Sequence, residues 1–229
     1  MDIIYDNPAF GRQHYDIRKV PKEKIGALMK ELAEGSKALE KCLLDIYNVG
    51  VFTDACCKGN HITMHGEDPD ICDIAYISFS IDSDWKDYLS DDIIDDKFVV
   101  IENKSIYYYG QNHDCFFRKL GRNFKTGKKK NQPHLSEKMS SYNEELRHDM
   151  HKEAHIFCLK KNGFTDDQIE ELMILGSKKR KIWMQVEHTE DKAEREKLII
   201  QGCIYDDEYN AIIKRTVAEN IHSSRRHHK

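Results

Sequence analysis

The 229-residue chain lacks any apolar run near the roughly 18–20 residues that a membrane-crossing helix needs. No transmembrane helix is expected. Its first nine residues, Met1 to Ala9, lack the basic-then-apolar layout of an export signal. No Cys-x-x-Cys pair and no tandem repeat is present. Charge of one sign is also missing, since 36 basic residues against 40 acidic ones leave a formal net charge of −4. A polybasic nucleic-acid coat is thereby excluded. Seven cysteines is an odd number, and without an export signal they are expected as reduced thiols in the cytoplasm. Secreted disulfide scaffolds, membrane proteins and long disordered chains are ruled out. What is present is a charge-rich chain, 33% charged and 39% apolar, whose 10% aromatics suffice for a core.

The pattern predicts an α+β fold, with an N-terminal α/β half on a small sheet of about three to five strands and a C-terminal helical half. Ile25, Leu28, Met29, Leu32, Leu39, Leu43 and Ile46 recur at helical spacing, with Gly35-Ser36 placed to bend or split the helix. Residues 74–81 read as a strand. Residues 98–102 and 105–109 read as a hairpin around Asn103-Lys104. Residues 54–70 read as a loop. The acidic stretch 82–96 carries Trp85, Tyr88, Leu89, Ile93 and Ile94 at helix-like intervals. Helices are expected over 136–161, from Thr165 to a stop at Gly176, over 189–200 and over 206–221. Cys42 and Cys158 fall on apolar helix faces. The expected organisation is an α/β region over 1–130, a helical region over 134–222 and a flexible tail over 223–229.

The unusual segment is Cys56-Cys57-Lys58-Gly59-Asn60-His61, followed by His65 and Cys72. Thiolate and imidazole are the donors tetrahedral zinc prefers, so Cys57, His61, His65 and Cys72 form a candidate metal set. The same residues admit a catalytic reading, with Cys57 as nucleophile and His61 as acid or base. The plain alternative is that Cys56 and Cys57 are small core residues beside a turn glycine. A second group, His148, His151 and His155, shares a helix face. Lys152 stands where a zinc protease needs glutamate, so a polar face is expected.

Arg118, Lys119, Arg122, Lys125, Lys128, Lys129 and Lys130 crowd thirteen positions, and Pro133 follows. They read as an exposed loop or boundary able to contact the phosphates of RNA, DNA or a nucleotide, with Phe116, Phe117 and Phe124 as stacking surfaces. Lys178-Lys179-Arg180-Lys181 before Trp183 is a second basic cluster. The run Ala55-Cys56-Cys57-Lys58-Gly59 after a helix and a short strand resembles the Ser-Cys-Ser-Gly-Arg region of the tRNA wybutosine-synthesis methyltransferase family, with Asn60 where Arg follows there. That resemblance spans about residues 25–81. It implies a loop facing an RNA-like or nucleotide-like ligand and transfers no catalytic residue. Two function classes remain. One is a nucleic-acid- or nucleotide-binding protein that uses the Cys/His loop, with zinc as the candidate cofactor. The other is a non-catalytic inhibitor or adaptor of the kind mobile elements encode, meeting a protein partner through its acidic and helical surfaces.

Overall fold

The helical spacing of Ile25, Leu28 and Met29, and of Leu39, Cys42, Leu43 and Ile46, buries one face of each of two helices, α1 (Lys22–Leu32) and α2 (Lys37–Asn48). They are separate because Gly35 takes a left-handed φ of +86°. Ser36 then caps α2, its hydroxyl accepting the Leu39 N–H at 3.2 Å. The computed structural model describes residues 5–7, 12–14, 17–65, 68–80, 83–127 and 144–226. The chain divides into two compact units, one formed by Met1–Asn60 and Cys72–His155, the other by His61–Ile71 and Ile156–Lys229. The expected boundary at 130–134 lies outside the described residues.

The first unit is an α/β assembly. Strands β1 (Tyr5–Asn7) and β2 (Arg12–His14) form a small antiparallel pair. The main sheet has the order β3-β6-β8-β7 and is antiparallel throughout. Its strands are β3 (Thr53–Cys57), β6 (Ala75–Phe79), β7 (Val99–Glu102) and β8 (Ser105–Tyr108). Alternation along β6 buries Ala75, Ile77 and Phe79 and leaves Tyr76 and Ser78 half-exposed. The buried set shares a core with α1, α2 and α4 (His113–Lys125). Trp85, Tyr88, Leu89, Ile93 and Ile94 join that core from a short 3-10 turn and α3 (Asp91–Ile94), so the acidic stretch presents charge outward over an apolar underside. Val100, Tyr107 and Tyr109 pack instead with Met150 of α5 (Glu144–Lys161).

Between β3 and β6 the chain leaves the main sheet to form a two-stranded sheet, β4 (His61–His65) with β5 (Asp68–Cys72). The sequence reads this stretch as loop, because its few β-formers are interleaved with His, Asp and Pro. In the structure it is mostly strand.

The basic segment is likewise a helix rather than a loop as far as Lys125. Phe116, Phe117, Leu120 and Phe124 bury one face of α4 and drive its formation.

The second unit is built on a helical hairpin of α6 (Asp166–His188) and α7 (Lys192–Arg226). Thr165 and Gln168 form a reciprocal capping box at the start of α6. The core joins Leu159 and Phe164 to Ile169, Leu172, Leu175, Ile212 and Ile213, with Ile62 and Ile71 packed against it. Two expected helix ends are absent. α6 continues through Gly176, and α7 runs unbroken through Gly202. Both glycines sit against the opposite helix instead of ending their own. A Cβ on Gly202 would lie 3.0 Å from the Trp183 ring, and one on Gly176 would meet Tyr209 at 3.8 Å.

Phe124 is fully buried, with its ring 5.2 Å from Tyr88 and 6.1 Å from Phe79. Phe124→Ala is expected to cost about 3–5 kcal/mol, read as a lower midpoint in urea unfolding. Gly202→Ala, which crowds the Trp183 ring, is expected to cost about 1–3 kcal/mol in the same measurement.

Candidate metal centre at the Cys-Cys loop

Strand alternation separates the two adjacent cysteines. Cys56 packs against the main core, its thiol directed at the Leu32 carbonyl at 3.7 Å. Cys56 is partly buried, whereas Cys57 is buried but lies outside that apolar cluster. It ends β3, opposite Tyr76 of β6. Lys58, Gly59 and Asn60 then turn the chain into β4. Gly59 and Asn60 both have left-handed backbones, with φ of +68° and +53°. Asn is among the few non-glycine residues that tolerate this. At Gly59 only glycine fits, since a Cβ would lie 2.7 Å from the Ala75 nitrogen and overlap the His113 ring.

His113, the first residue of α4, braces this turn. Its Nδ1 lies 2.9 Å from the Lys58 carbonyl, which can only accept, so Nδ1–H donates. Nε2 of a neutral ring is then an acceptor, and the Asn60 amide donates to it at 3.3 Å. Asn60 is 6% exposed, and its Oδ1 finds no partner among the described residues.

The excursion returns at Cys72, three residues before β6 begins. Cys57, His61 and Cys72 stand at the start and the end of that excursion. Their donor atoms all lie within 4.8 Å of one another. Tetrahedral zinc with Zn–S near 2.3 Å holds two sulfurs about 3.8 Å apart, so binding asks for at most about an ångström of contraction. The Gly59 N–H donates to the Cys57 sulfur at 3.4 Å, the kind of outer contact that orients a thiolate ligand. His65 belongs to β4, but its side chain lies outside the described residues. The structure brings Cys57 and His61 together with Cys72, an arrangement that nucleophile-and-base pairing alone does not need.

The histidine face of α5 divides in two. His148 is exposed beside Asp149. His155 and His151 converge on the buried Asp73, at 3.0 and 3.5 Å. Packing around its ring pushes His151 below the ordinary histidine range, and the Asp73 carboxylate opposes this. Asp73 is a residue that sequence reasoning missed. It follows Cys72 directly, yet its partners lie about eighty positions downstream.

On α4, Arg118, Arg122 and Lys125 are exposed at i, i+4 and i+7, one continuous cationic face with no ion pair among the described residues. Lys119 is half-buried and paired with Asp96 at 3.8 Å. Lys128, Lys129 and Lys130 lie outside the described residues. Phe116, Phe117 and Phe124 are each no more than 2% exposed, so none can stack on a base.

No family model, curated protein or solved structure matches the chain. The likeness to the wybutosine-synthesis family therefore rests on the loop residues alone. No described helix is long and apolar enough to cross a membrane.

None of the seven cysteines is in a disulfide, and Cys203 is the exposed one. Burial pushes the Cys42 thiol well above its ordinary range, with Asp45 adding to the effect. Timed alkylation followed by mass spectrometry should modify Cys203 first and Cys42 and Cys158 last. Equal rates at all three would show that the described packing is wrong.

Proposed function

We propose that the protein binds a nucleic acid or nucleotide, and that a zinc ion held by Cys57, His61 and Cys72 shapes the loop beside that ligand. The observation that carries this reading is the convergence of two thiols and an imidazole within 4.8 Å. These are the donors zinc selects over harder cations. Burial of one of the sulfurs and the N–H donated to it support the same reading. Zinc would supply local folding energy and a Lewis acid. Three protein donors leave a fourth position, for His65 in a closed structural site or for a water or ligand atom in an open one.

The ligand class comes from α4. The helix whose first residue braces the loop carries Arg118, Arg122 and Lys125 on its exposed face. With the phenylalanines buried, recognition is directed at phosphate rather than at base faces. Seven cysteines with no disulfide among them fit a reducing compartment such as the cytoplasm.

Elemental analysis of the purified protein is expected to give about one zinc per chain, with Cys57→Ser and Cys72→Ser each losing it. A Cys72→Ser protein with full zinc content would sink the metal assignment. The triple variant Arg118→Glu, Arg122→Glu, Lys125→Glu is expected to keep its zinc and lose affinity for a labelled single-stranded oligonucleotide. Its salt slope should shrink by about 2 if three phosphate contacts are lost at about 0.7 each. Unchanged affinity would refute the ligand assignment while leaving the metal one standing.

A further inference from the structure

The α6–α7 hairpin buries one side in the second unit's core and leaves another side open. Along that open side runs a groove lined by Asp167, Glu170, Glu171 and Ile174 of α6 and by Glu208 and Ala211 of α7. Its floor is apolar. Ile174 is 49% exposed, and one and two turns along α7 from Glu208 stand Ile204 and Ile200, 50% and 62% exposed. Exposed isoleucines continuing the line of a groove are the pattern of a docking face rather than of scattered surface residues.

The rim specifies the occupant's charge. Asp167, Glu170, Glu171 and Glu208 are exposed and form no ion pair among the described residues. Lys178, which also lines the groove, has its ammonium 5.8 Å from the Tyr205 ring centroid. The groove specifies shape as well. Two packed antiparallel helices offer a third helix a seat at the usual 8–10 Å spacing. The stretch from Ile200 to Ile212 is about 18 Å long at 1.5 Å per residue, which matches three to four turns.

We infer that this face docks a basic amphipathic helix of a partner protein. Its apolar residues at i, i+3, i+4 and i+7 would cover Ile174, Ile200 and Ile204, and its Lys or Arg residues would meet the four carboxylates. The inference is independent of the metal centre, since it uses none of its residues.

The probe is a labelled 16-residue helical peptide of leucine and lysine carrying that spacing, with a glutamate-for-lysine twin, titrated against the full chain by fluorescence anisotropy. The lysine peptide is expected to bind at least tenfold more tightly than its twin. Ile174→Glu with Ile204→Glu should weaken it at least tenfold with the circular dichroism unchanged. Glu170→Lys with Glu171→Lys should narrow or reverse the preference between the two peptides. Asp91→Lys with Asp92→Lys, in the other acidic stretch, should leave binding as it was. Equal binding of both peptides overturns the proposal, as does indifference to the isoleucine pair. So does an equal loss from the Asp91/Asp92 pair, which would mark general charge attraction. A chain that binds neither peptide but sediments as a dimer, and as a monomer once Ile204 is glutamate, also overturns it, because a second copy then covers the face.

Discussion

The bracing of Lys58–Asn60 by His113 is the constraint on which the candidate site depends. A helix N-terminus, a strand end and a turn meet there, and each excludes alternatives for the others. The Lys58 carbonyl fixes the proton on Nδ1, so Nε2 must accept, and only a donor at Asn60 satisfies it. The ring in turn occupies the space where a side chain on residue 59 would stand. Gly59 is therefore demanded twice, by its positive φ and by its neighbour. The turn sets the direction in which His61 leaves, and that direction brings its imidazole toward Cys57. The four buried phenylalanine and leucine side chains of α4 hold His113 in place from below. In this way the core of the first unit determines the geometry of a loop that contributes little to the core itself.

The same dependence explains what was legible in the sequence. Elements driven by their own periodicity could be read directly: α1 and α2 with the break at Gly35-Ser36, the β7–β8 hairpin, the Thr165 cap, and Cys42 and Cys158 as core residues. The set Cys57, His61 and Cys72 was legible as donor chemistry, because few other residue groups in the chain have that composition. Its convergence was not legible. It follows from β3 pairing with β6 across an intervening excursion, and residues 54–70 carry no alternation that announces strands. The pairing of His151 and His155 with Asp73 was hidden for a similar reason, since contact between a strand end and a helix so far downstream has no local signature.

Glycine and basic runs misled for opposite reasons. A glycine in a helical pattern is ambiguous between a stop and a close approach. Gly202 is resolved only by Trp183, nineteen residues away along the hairpin, whose indole also donates to Asp206 at 3.2 Å. The run beginning at Arg118 suggests a loop when its charges are counted alone. Phe116, Phe117, Leu120 and Phe124, spaced among those charges, make it an amphipathic helix. Its cations are set on the exposed face and its phenylalanines are buried, so under the proposed ligand class the helix can offer charge to phosphate but no ring to a base.

The arrangement also bears on what kind of chemistry the loop can do. A catalytic thiol needs access and a base that is free to take its proton. Cys57 is 6% exposed, receives a backbone N–H, and lies together with the His61 imidazole and a second thiol, Cys72. The low exposure limits its access as a nucleophile, and the donated N–H and the second sulfur suit a metal donor. A buried sulfur is shielded from oxidants, an oriented one binds without reorganisation, and a second sulfur completes a soft donor set that imidazole alone would not make. The cluster is thus better suited to holding an ion than to attacking a substrate. The exposed Arg118, Arg122 and Lys125 lie on a different face of α4 from His113, so the proposed ligand contact and the loop bracing would use separate sides of one helix and can be altered separately.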